Sequence, residues 1–268
     1  MTPQGNHGKR ARIGVSSWSF DPLFRQSTDN PPAAPMDVRD FPEMIADRYH
    51  LHNVEIVLPH FRGAEPSLVR DFKARLEKAH SRLVHMPLDF AELWEKPAIS
   101  STDPAERDAA LGLYKKGIDA AAALGCPLVR CDPGTVNLDD PSVTIDSYKQ
   151  LAAYARGKGI KVVVENHYGS TSEHPEALVG ILNAAGVGAL PDFENFPDEA
   201  TRDRGLELLF PVAGEVAHAK MREGRDFGRV MQIAKASGFT GIYSIEAEHK
   251  GDVYDRVQEV VDALLQHL

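Results

Sequence analysis

Four stretches of this 268-residue sequence end on side chains that can bind a metal ion or move a proton. The apolar run Ile160–Val164 leads into Glu165, and three later runs end on Asp192, His218 and Glu246. Three carboxylates that lie close together raise each other's pKa, and a divalent cation would remove that conflict. Oxygen-rich ligation with one histidine suits Mn²⁺ or Mg²⁺, and Co²⁺ or Zn²⁺ are also possible. The pattern predicts one divalent metal ion; the alternative is a set of ordinary ion pairs with neighbouring Lys or Arg.

The elements that must position these side chains are buried parallel strands. Ile160–Val164 is β-branched and follows the breaker pair Lys158-Gly159, as expected for such a strand. A strand followed by a helical segment recurs eight times, which predicts a single (β/α)8 TIM barrel over residues 1–268, with residues 1–10 as a flexible tail. The carboxyl ends of such strands meet at one mouth, where active sites lie. The alternative is an open, doubly wound sheet, although no Gly-rich dinucleotide fingerprint follows the first strand.

Alternation along each strand decides which side chains share a face. On the fifth strand, Glu165 shares its face with His167. Glu248 is the rival of Glu246 as an eighth-strand ligand, and we favour Glu246 because it directly ends the β-branched run. The same rule groups the inward candidates of the last three strands as Leu190 with Asp192, Val216 with His218 and Lys220, and Ile242 with Ser244, Glu246 and Glu248.

Composition narrows the class of protein. A hydrophobic content of 43% supports a full core, and a net charge of −9 argues against a nucleic-acid partner. The sequence has no apolar run long enough for a membrane span, and no signal-peptide pattern follows the basic residues near the N-terminus. Cys126 and Cys131 flank one predicted strand at an odd offset, so we expect two separate, reduced thiols. These features predict a cytoplasmic protein with no membrane partner.

Side chains on or just after other strands are further candidates. His85 and His167 could each contact a substrate at the mouth, and Lys220 could stabilise negative charge on a substrate oxygen. Glu55 and Arg130 lie on earlier strands, and we expect them to pair structurally rather than to act in catalysis.

Two long segments after early strands are predicted to shape a pocket. They are Asp21–Pro35 and Pro87–Ser101, both long for loops on the catalytic side of a barrel. Trp18 and Trp94 lie at these loops and could form an apolar wall of the pocket, although core packing is equally compatible.

Four motifs in order give the chain a family resemblance. It resembles the xylose isomerase-like TIM-barrel superfamily, in its sugar phosphate isomerase/epimerase branch, over nearly its whole length. The motifs that carry the resemblance are Val164-Glu-Asn-His167, Leu190-Pro-Asp-Phe-Glu-Asn195, His218-Ala-Lys220 and Tyr243-Ser-Ile-Glu246.

The resemblance implies specific roles. In the related ketose 3-epimerases two glutamates also move the proton, and that role would fall to Glu165 and Glu246. Asn195 stands where those epimerases carry a substrate-contacting histidine, and Arg222 is out of register with an arginine that follows their seventh-strand histidine. Family members bind one divalent metal through a Glu, Asp, His, Glu set, which carries over to the ligands Glu165, Asp192, His218 and Glu246.

The sequence and the resemblance together favour a divalent-metal-dependent isomerase or epimerase that acts on a ketose or keto-sugar through an enediolate. The candidate substrate-binding residues are His167, Asn195, Lys220, His85 and Trp18. A dehydratase or lyase acting on a keto-sugar or inosose is the nearest alternative, because an enediolate can also expel a β-substituent. An apurinic endonuclease-like enzyme and a non-catalytic sugar-binding barrel are further alternatives. The expected partner is a small-molecule sugar, and a homo-oligomer remains compatible.

Overall fold

The structure is a computed structural model that describes residues 8–24, 36–61, 65–94, 96–167 and 169–268. Within these residues, eight parallel strands form one sheet in the order β6-β5-β4-β3-β2-β1-β8-β7. The strands are β1 Ile13–Ser16, β2 Asn53–Glu55, β3 Arg82–Pro87, β4 Leu128–Arg130, β5 Lys161–Glu165, β6 Gly188–Leu190, β7 Val216–Ala219 and β8 Ile242–Ile245.

The sheet closes into a barrel between β6 and β7. Isolated bridges pair Ala189 with Ala213 and Asp192 with His218. The His218 amide donates to the Pro191 carbonyl at 2.9 Å, and the Phe193 amide donates to the His218 carbonyl at 3.1 Å. The predicted TIM barrel is therefore confirmed, and closure rules out the open sheet that was its alternative.

A principal helix follows each strand, as the eightfold recurrence in the sequence predicts. Aspartates begin several of them by accepting a hydrogen bond from a backbone amide of the first turn, as Asp103 does from Ala105 and Asp198 does from Thr201. The helices are α1 Phe41–Tyr49, α2 Pro66–Lys78, α3 Pro104–Leu124, α4 Ser142–Arg156, α5 Pro175–Ala185, α6 Glu199–Leu209, α7 Phe227–Ala236 and α8 Val253–His267.

Three details differ from the sequence predictions or extend them. The predicted loop Asp21–Pro35 begins with a helical turn, Asp21–Phe24, and its residues 25–35 lie outside the described residues. In the predicted flexible tail, residues 1–7 also lie outside the described residues, whereas Lys9 Nζ donates a hydrogen bond to the Leu265 carbonyl at 2.8 Å. A 3₁₀ turn over Val38–Asp40 leads directly into α1, which begins at Phe41.

The barrel interior has an apolar layer and a polar layer. Alternation along the strands then places polar side chains nearer the carboxyl ends, where Glu165 follows Val163 and His218 follows Val216 by two residues. The apolar layer consists of Val84, Leu128, Val163, Leu190 and Val216, with Ile242 packed against it.

The two cysteines are free and buried, as expected for separate thiols. Burial raises the pKa of the Cys126 thiol to about 12, so this side chain stays protonated at neutral pH. No helix in the described part of the chain has the length and apolar character that crossing a membrane requires.

Candidate metal centre

The four side chains at the ends of the last four strands meet at one point. Glu165, Asp192 and His218 have no exposed surface, and Glu246 is 4% exposed. One ligand atom from each lies within 4.8 Å of the corresponding atoms of the others. Nδ1 of His218 is 3.0 Å from Glu165 Oε1, 3.3 Å from Glu246 Oε1 and 3.7 Å from Asp192 Oδ2. The imidazole therefore faces all three carboxylates, as the shared-face argument predicted.

The loop after β6 fixes the carboxylate of Asp192. Its Oδ1 accepts hydrogen bonds from the amides of Glu194 and Asn195, both at 2.8 Å. Asn166, at the end of β5, accepts from the Asp192 amide at 2.8 Å and donates to its carbonyl at 3.1 Å. The two bonds to Oδ1 leave Oδ2 to face the other ligand candidates, and the two to Asn166 fix the backbone of Asp192.

Two cations hold the second oxygens of the two glutamates. Nη1 of Arg130 binds Glu165 Oε2, and Nζ of Lys220 is 2.8 Å from Glu246 Oε2 and 2.8 Å from Asp192 Oδ2. Each glutamate thus turns one oxygen to His218 and the other to a cation.

The charges of the cluster shift its ionisation. Burial raises the pKa of Glu165, but Arg130 and His218 outweigh it and hold that pKa well below its usual value. Burial lowers the pKa of His218, but three carboxylates, Glu246, Glu55 and Glu165, raise it well above its ordinary value. In Asp192 burial is the larger effect, and the pKa is raised even though Lys220 opposes it. The cluster therefore concentrates negative charge that needs cations close by.

The donor set fits a divalent metal ion. Three carboxylates and one imidazole supply hard oxygen ligands and one nitrogen, which suits Mn²⁺, Mg²⁺ or Zn²⁺. The oxygens and Nδ1 that face one another are close enough to contact a single ion placed among them. The cluster could therefore hold a divalent metal ion.

A cavity of about 730 Å³ opens above the cluster. Glu246 lines it together with four of the predicted substrate-binding residues, Trp18, His167, Asn195 and Lys220. The Trp18 ring lies 5.3 Å from Lys220 Nζ and 4.3 Å from the His249 ring. Asn195 donates from Nδ2 to Glu165 Oε1 at 3.1 Å.

The structure does not bring His85 into this cavity. The side chain has no exposed surface, and its Nδ1 lies 2.9 Å from Glu55 Oε2. Glu55 Oε2 is also 3.2 Å from His218 Nε2. The prediction that Glu55 pairs with Arg130 is wrong, because Glu55 contacts the two histidines and Arg130 instead contacts Glu165 and two aspartates.

The structure also locates the two rival glutamates of the eighth strand and the predicted pocket segments. Glu246, rather than its rival Glu248, joins the cluster, while Glu248 lines the cavity 3.7 Å from Arg222 Nε. Several residues of the predicted pocket segment Pro87–Ser101, Trp94 among them, line the cavity. Most of the other predicted pocket segment lies outside the described residues.

Sequence reasoning missed three carboxylates that line the cavity, Asp89, Asp132 and Glu194. Nη2 of Arg130 contacts Asp89, and it lies 3.2 Å from Asp132 Oδ2. The alternation rule, applied to β4, would have placed Asp132 on the face of Arg130. Asp89 and Glu194 follow strand ends in loops, where alternation gives no direction.

Most of the chain matches a known protein family. The sequence model of a protein family described as "Xylose isomerase-like TIM barrel" matches residues 46–267. No curated protein matched the sequence.

Many solved structures share the fold. D-Allulose 3-epimerase from Methylomonas sp. superposes with a TM-score of 0.73 at 18% identity, covering 97% of this chain and 98% of that one. The 3-keto-D-glucoside 4-epimerase from E. coli gives 0.68 at 14% identity, covering 96% and 98%. A xylose isomerase-like TIM barrel protein from Mycobacterium smegmatis, in complex with magnesium, gives 0.66 at 14% identity, covering 97% and 99%.

Proposed function

The chain belongs to the xylose isomerase-like TIM barrel family, and we propose that it is a divalent-metal-dependent isomerase or epimerase of a ketose or keto-sugar. The observation that carries this proposal is the convergence of three carboxylates and one imidazole beneath a cavity. The names of two structural neighbours, an allulose epimerase and a keto-glucoside epimerase, support a sugar substrate.

Four residues would hold the metal: Glu165, Asp192, His218 and Glu246. When bound, a divalent ion at such a site polarises a carbonyl and an adjacent hydroxyl, which acidifies the C–H bond between them. Mn²⁺ and Mg²⁺ are the favoured ions because the donors are mainly carboxylate oxygens.

Glu246 and Glu165 differ in their access to the cavity, and we therefore assign them different steps of proton transfer. Glu246 lines the cavity, whereas Glu165 is fully buried, with Asn195 between it and the cavity contributing a hydrogen bond at 3.1 Å. We assign proton abstraction to Glu246, which in an isomerisation would return the same proton to the neighbouring carbon. In an epimerisation Glu165, after taking up a proton from solvent, would deliver it on the opposite face while Glu246 keeps the abstracted one. Lys220, 2.8 Å from Glu246 Oε2 and 13% exposed, would stabilise negative charge that develops on a substrate oxygen.

The nearest alternative is a lyase that shares the first half of the reaction. Loss of a β-substituent lowers the mass of the product, whereas isomerisation leaves it unchanged, so mass spectrometry separates the two reactions. An endonuclease-like activity would need a basic groove, and the net charge of −9 opposes it.

The test uses the chelated protein with Mn²⁺ or Mg²⁺ added back, and a panel of ketoses and keto-glycosides in D₂O. We expect a product of unchanged mass, apart from deuterium at the carbon that lost its proton. Glu246→Gln should lower turnover by about 10²–10⁴-fold, the usual contribution of a general base, with any loss of metal affinity adding to this.

The matched control is Glu248→Gln, a cavity-lining glutamate two residues away that lies outside the cluster. Equal turnover in the Glu246 variant and this control would contradict the assigned role. Tight metal binding without turnover of any sugar would favour a non-catalytic barrel instead.

A further inference from the structure

A second polar pair lies next to the candidate metal ligands inside the barrel. Glu55 and His85 come from β2 and β3, on the far side of the barrel from His218 on β7, and neither has exposed surface. A carboxylate can only accept hydrogen bonds, so both imidazoles donate to Glu55 Oε2, His85 from Nδ1 at 2.9 Å and His218 from Nε2 at 3.2 Å. One oxygen atom thus joins two histidines from distant strands.

This pair is costly to keep for stability alone. Glu55 Oε1 and His85 Nε2 are buried and have no hydrogen-bond partner among the described residues. Buried polar atoms without partners destabilise a fold, and a neighbouring interior layer is filled by aliphatic side chains instead. A buried carboxylate retained at this cost calls for a role beyond packing.

We propose that Glu55 is a positioning residue that fixes the tautomer and ring orientation of His218 for metal binding. By the same rule Nδ1 donates to Glu165 Oε1 at 3.0 Å in the ion-free protein. Once the Nδ1 proton is lost, the proton held on Nε2 by Glu55 leaves the lone pair of the neutral ring on Nδ1. Nδ1 is the atom that faces Glu165, Glu246 and Asp192, at 3.0, 3.3 and 3.7 Å. A carboxylate behind a ligating histidine also makes the ring a stronger donor.

His85 acts on Glu55 in the same way that Glu55 acts on His218. Its bond to Oε2 is the shorter of the two, so it keeps the carboxylate turned toward the His218 ring. The inference rests on the proposed metal site and adds that its geometry is set by residues that touch neither metal nor substrate.

The first test measures Mn²⁺ affinity by calorimetry on chelated protein, without substrate. Glu55→Gln keeps the size of the side chain and should weaken Mn²⁺ binding by about 10–100-fold, the range seen for partners of metal-ligating histidines. His85→Gln should have a smaller effect in the same direction. Ser244→Ala is the matched control, since Ser244 is a buried side chain paired in register with His218 and its Oγ has no partner among the described residues.

A second measurement does not depend on how the variants fold. Nitrogen NMR of histidine-labelled wild-type protein loaded with Zn²⁺ should show His218 with a proton on Nε2 and none on Nδ1. The reverse tautomer, or Mn²⁺ affinity of Glu55→Gln equal to that of the Ser244 control, would overturn the proposal. Failure of wild-type protein to bind either ion would instead overturn the metal site itself.

Discussion

The two halves of the barrel mouth contribute to the candidate site in different ways. In the half built from β5 to β8, every strand ends in a group that faces one common point. In the half built from β2 to β4, Glu55 and Arg130 instead contact groups of the first half, His218 and Glu165. The first half therefore supplies the donors, and the second half sets their charge and direction.

Removing a donor should produce the largest effect. In His218→Ala the centre loses its only nitrogen, the atom that faces all three carboxylates. We expect Mn²⁺ affinity to fall by more than the roughly 100-fold upper range for outer partners, with turnover lost as well. Calorimetry on chelated protein measures this directly. An affinity loss no greater than that of Glu55→Gln would contradict the claim that one half supplies the donors and the other only supports them.

Removing the central cation of the second half should act first on stability. Arg130 is 5% exposed and contacts Glu165, Asp89 and Asp132, so Arg130→Leu leaves the buried carboxylate of Glu165 and two half-buried ones without this cation. Breaking a buried pair in this way costs about 3–5 kcal/mol of unfolding free energy, measurable with urea.

The matched control for this stability measurement is Arg204→Leu. Arg204 pairs with Glu176 at 2.6 Å, but both side chains are more than half exposed. Such a pair contributes about 0–1 kcal/mol. A similar loss in both variants would show that Arg130 does not support the site in the way that the comparison requires.

The half of the mouth built from β5 to β8 also contains a group whose protonation changes with pH, the side chain of Glu194. Burial raises the pKa of Glu194 from 4.5 to about 7, although Arg202 and Arg225 oppose the shift. The stability contribution of a raised pKa is complete below about pH 4.5 and is lost as the pH rises through about 7. Relative to Glu194→Gln, wild-type protein should lose up to about 3 kcal/mol of unfolding free energy between pH 4.5 and 8. Urea unfolding at both pH values checks this, and a constant difference would contradict it.

The second half should also influence which sugars are accepted. Asp89 and Asp132 line the cavity and share one guanidinium group, Arg130, with Glu165. A phosphate placed near these carboxylates is repelled, so we expect neutral ketoses to be preferred over their phosphates. In Asp132→Asn, the ratio of kcat/KM for a neutral ketose to kcat/KM for its phosphate should fall by about tenfold, which corresponds to roughly 1.4 kcal/mol of relieved repulsion. An unchanged ratio would show that the phosphate group does not lie near Asp132 and that the substrate is placed elsewhere in the cavity.

The same comparison explains what the sequence could predict. Glu165, Asp192, His218 and Glu246 were predictable because each ends a strand, and alternation gives the face of a strand residue. Glu55 has two partners, and one of them, His218, is 163 residues away on a strand that is not adjacent in the sheet, so local pattern could not find it. The other, His85, is its register partner on the adjacent strand β3 and was within reach of sequence reasoning. Residues of loops, such as Asp89 and Glu194, were missed because local pattern does not fix the direction of a loop side chain.

The closure of the barrel has a dynamic consequence. β6 and β7 are joined only by isolated bridges and a few backbone bonds, and one bridge pairs Asp192 with His218. Local opening of this junction would separate two of the four proposed ligands, so an ion that binds both should stabilise the closed junction. Hydrogen exchange at the amides of Phe193 and His218 should then slow in the presence of Mn²⁺. If exchange requires that opening, an ion concentration of 100 times Kd should slow it by about 100-fold.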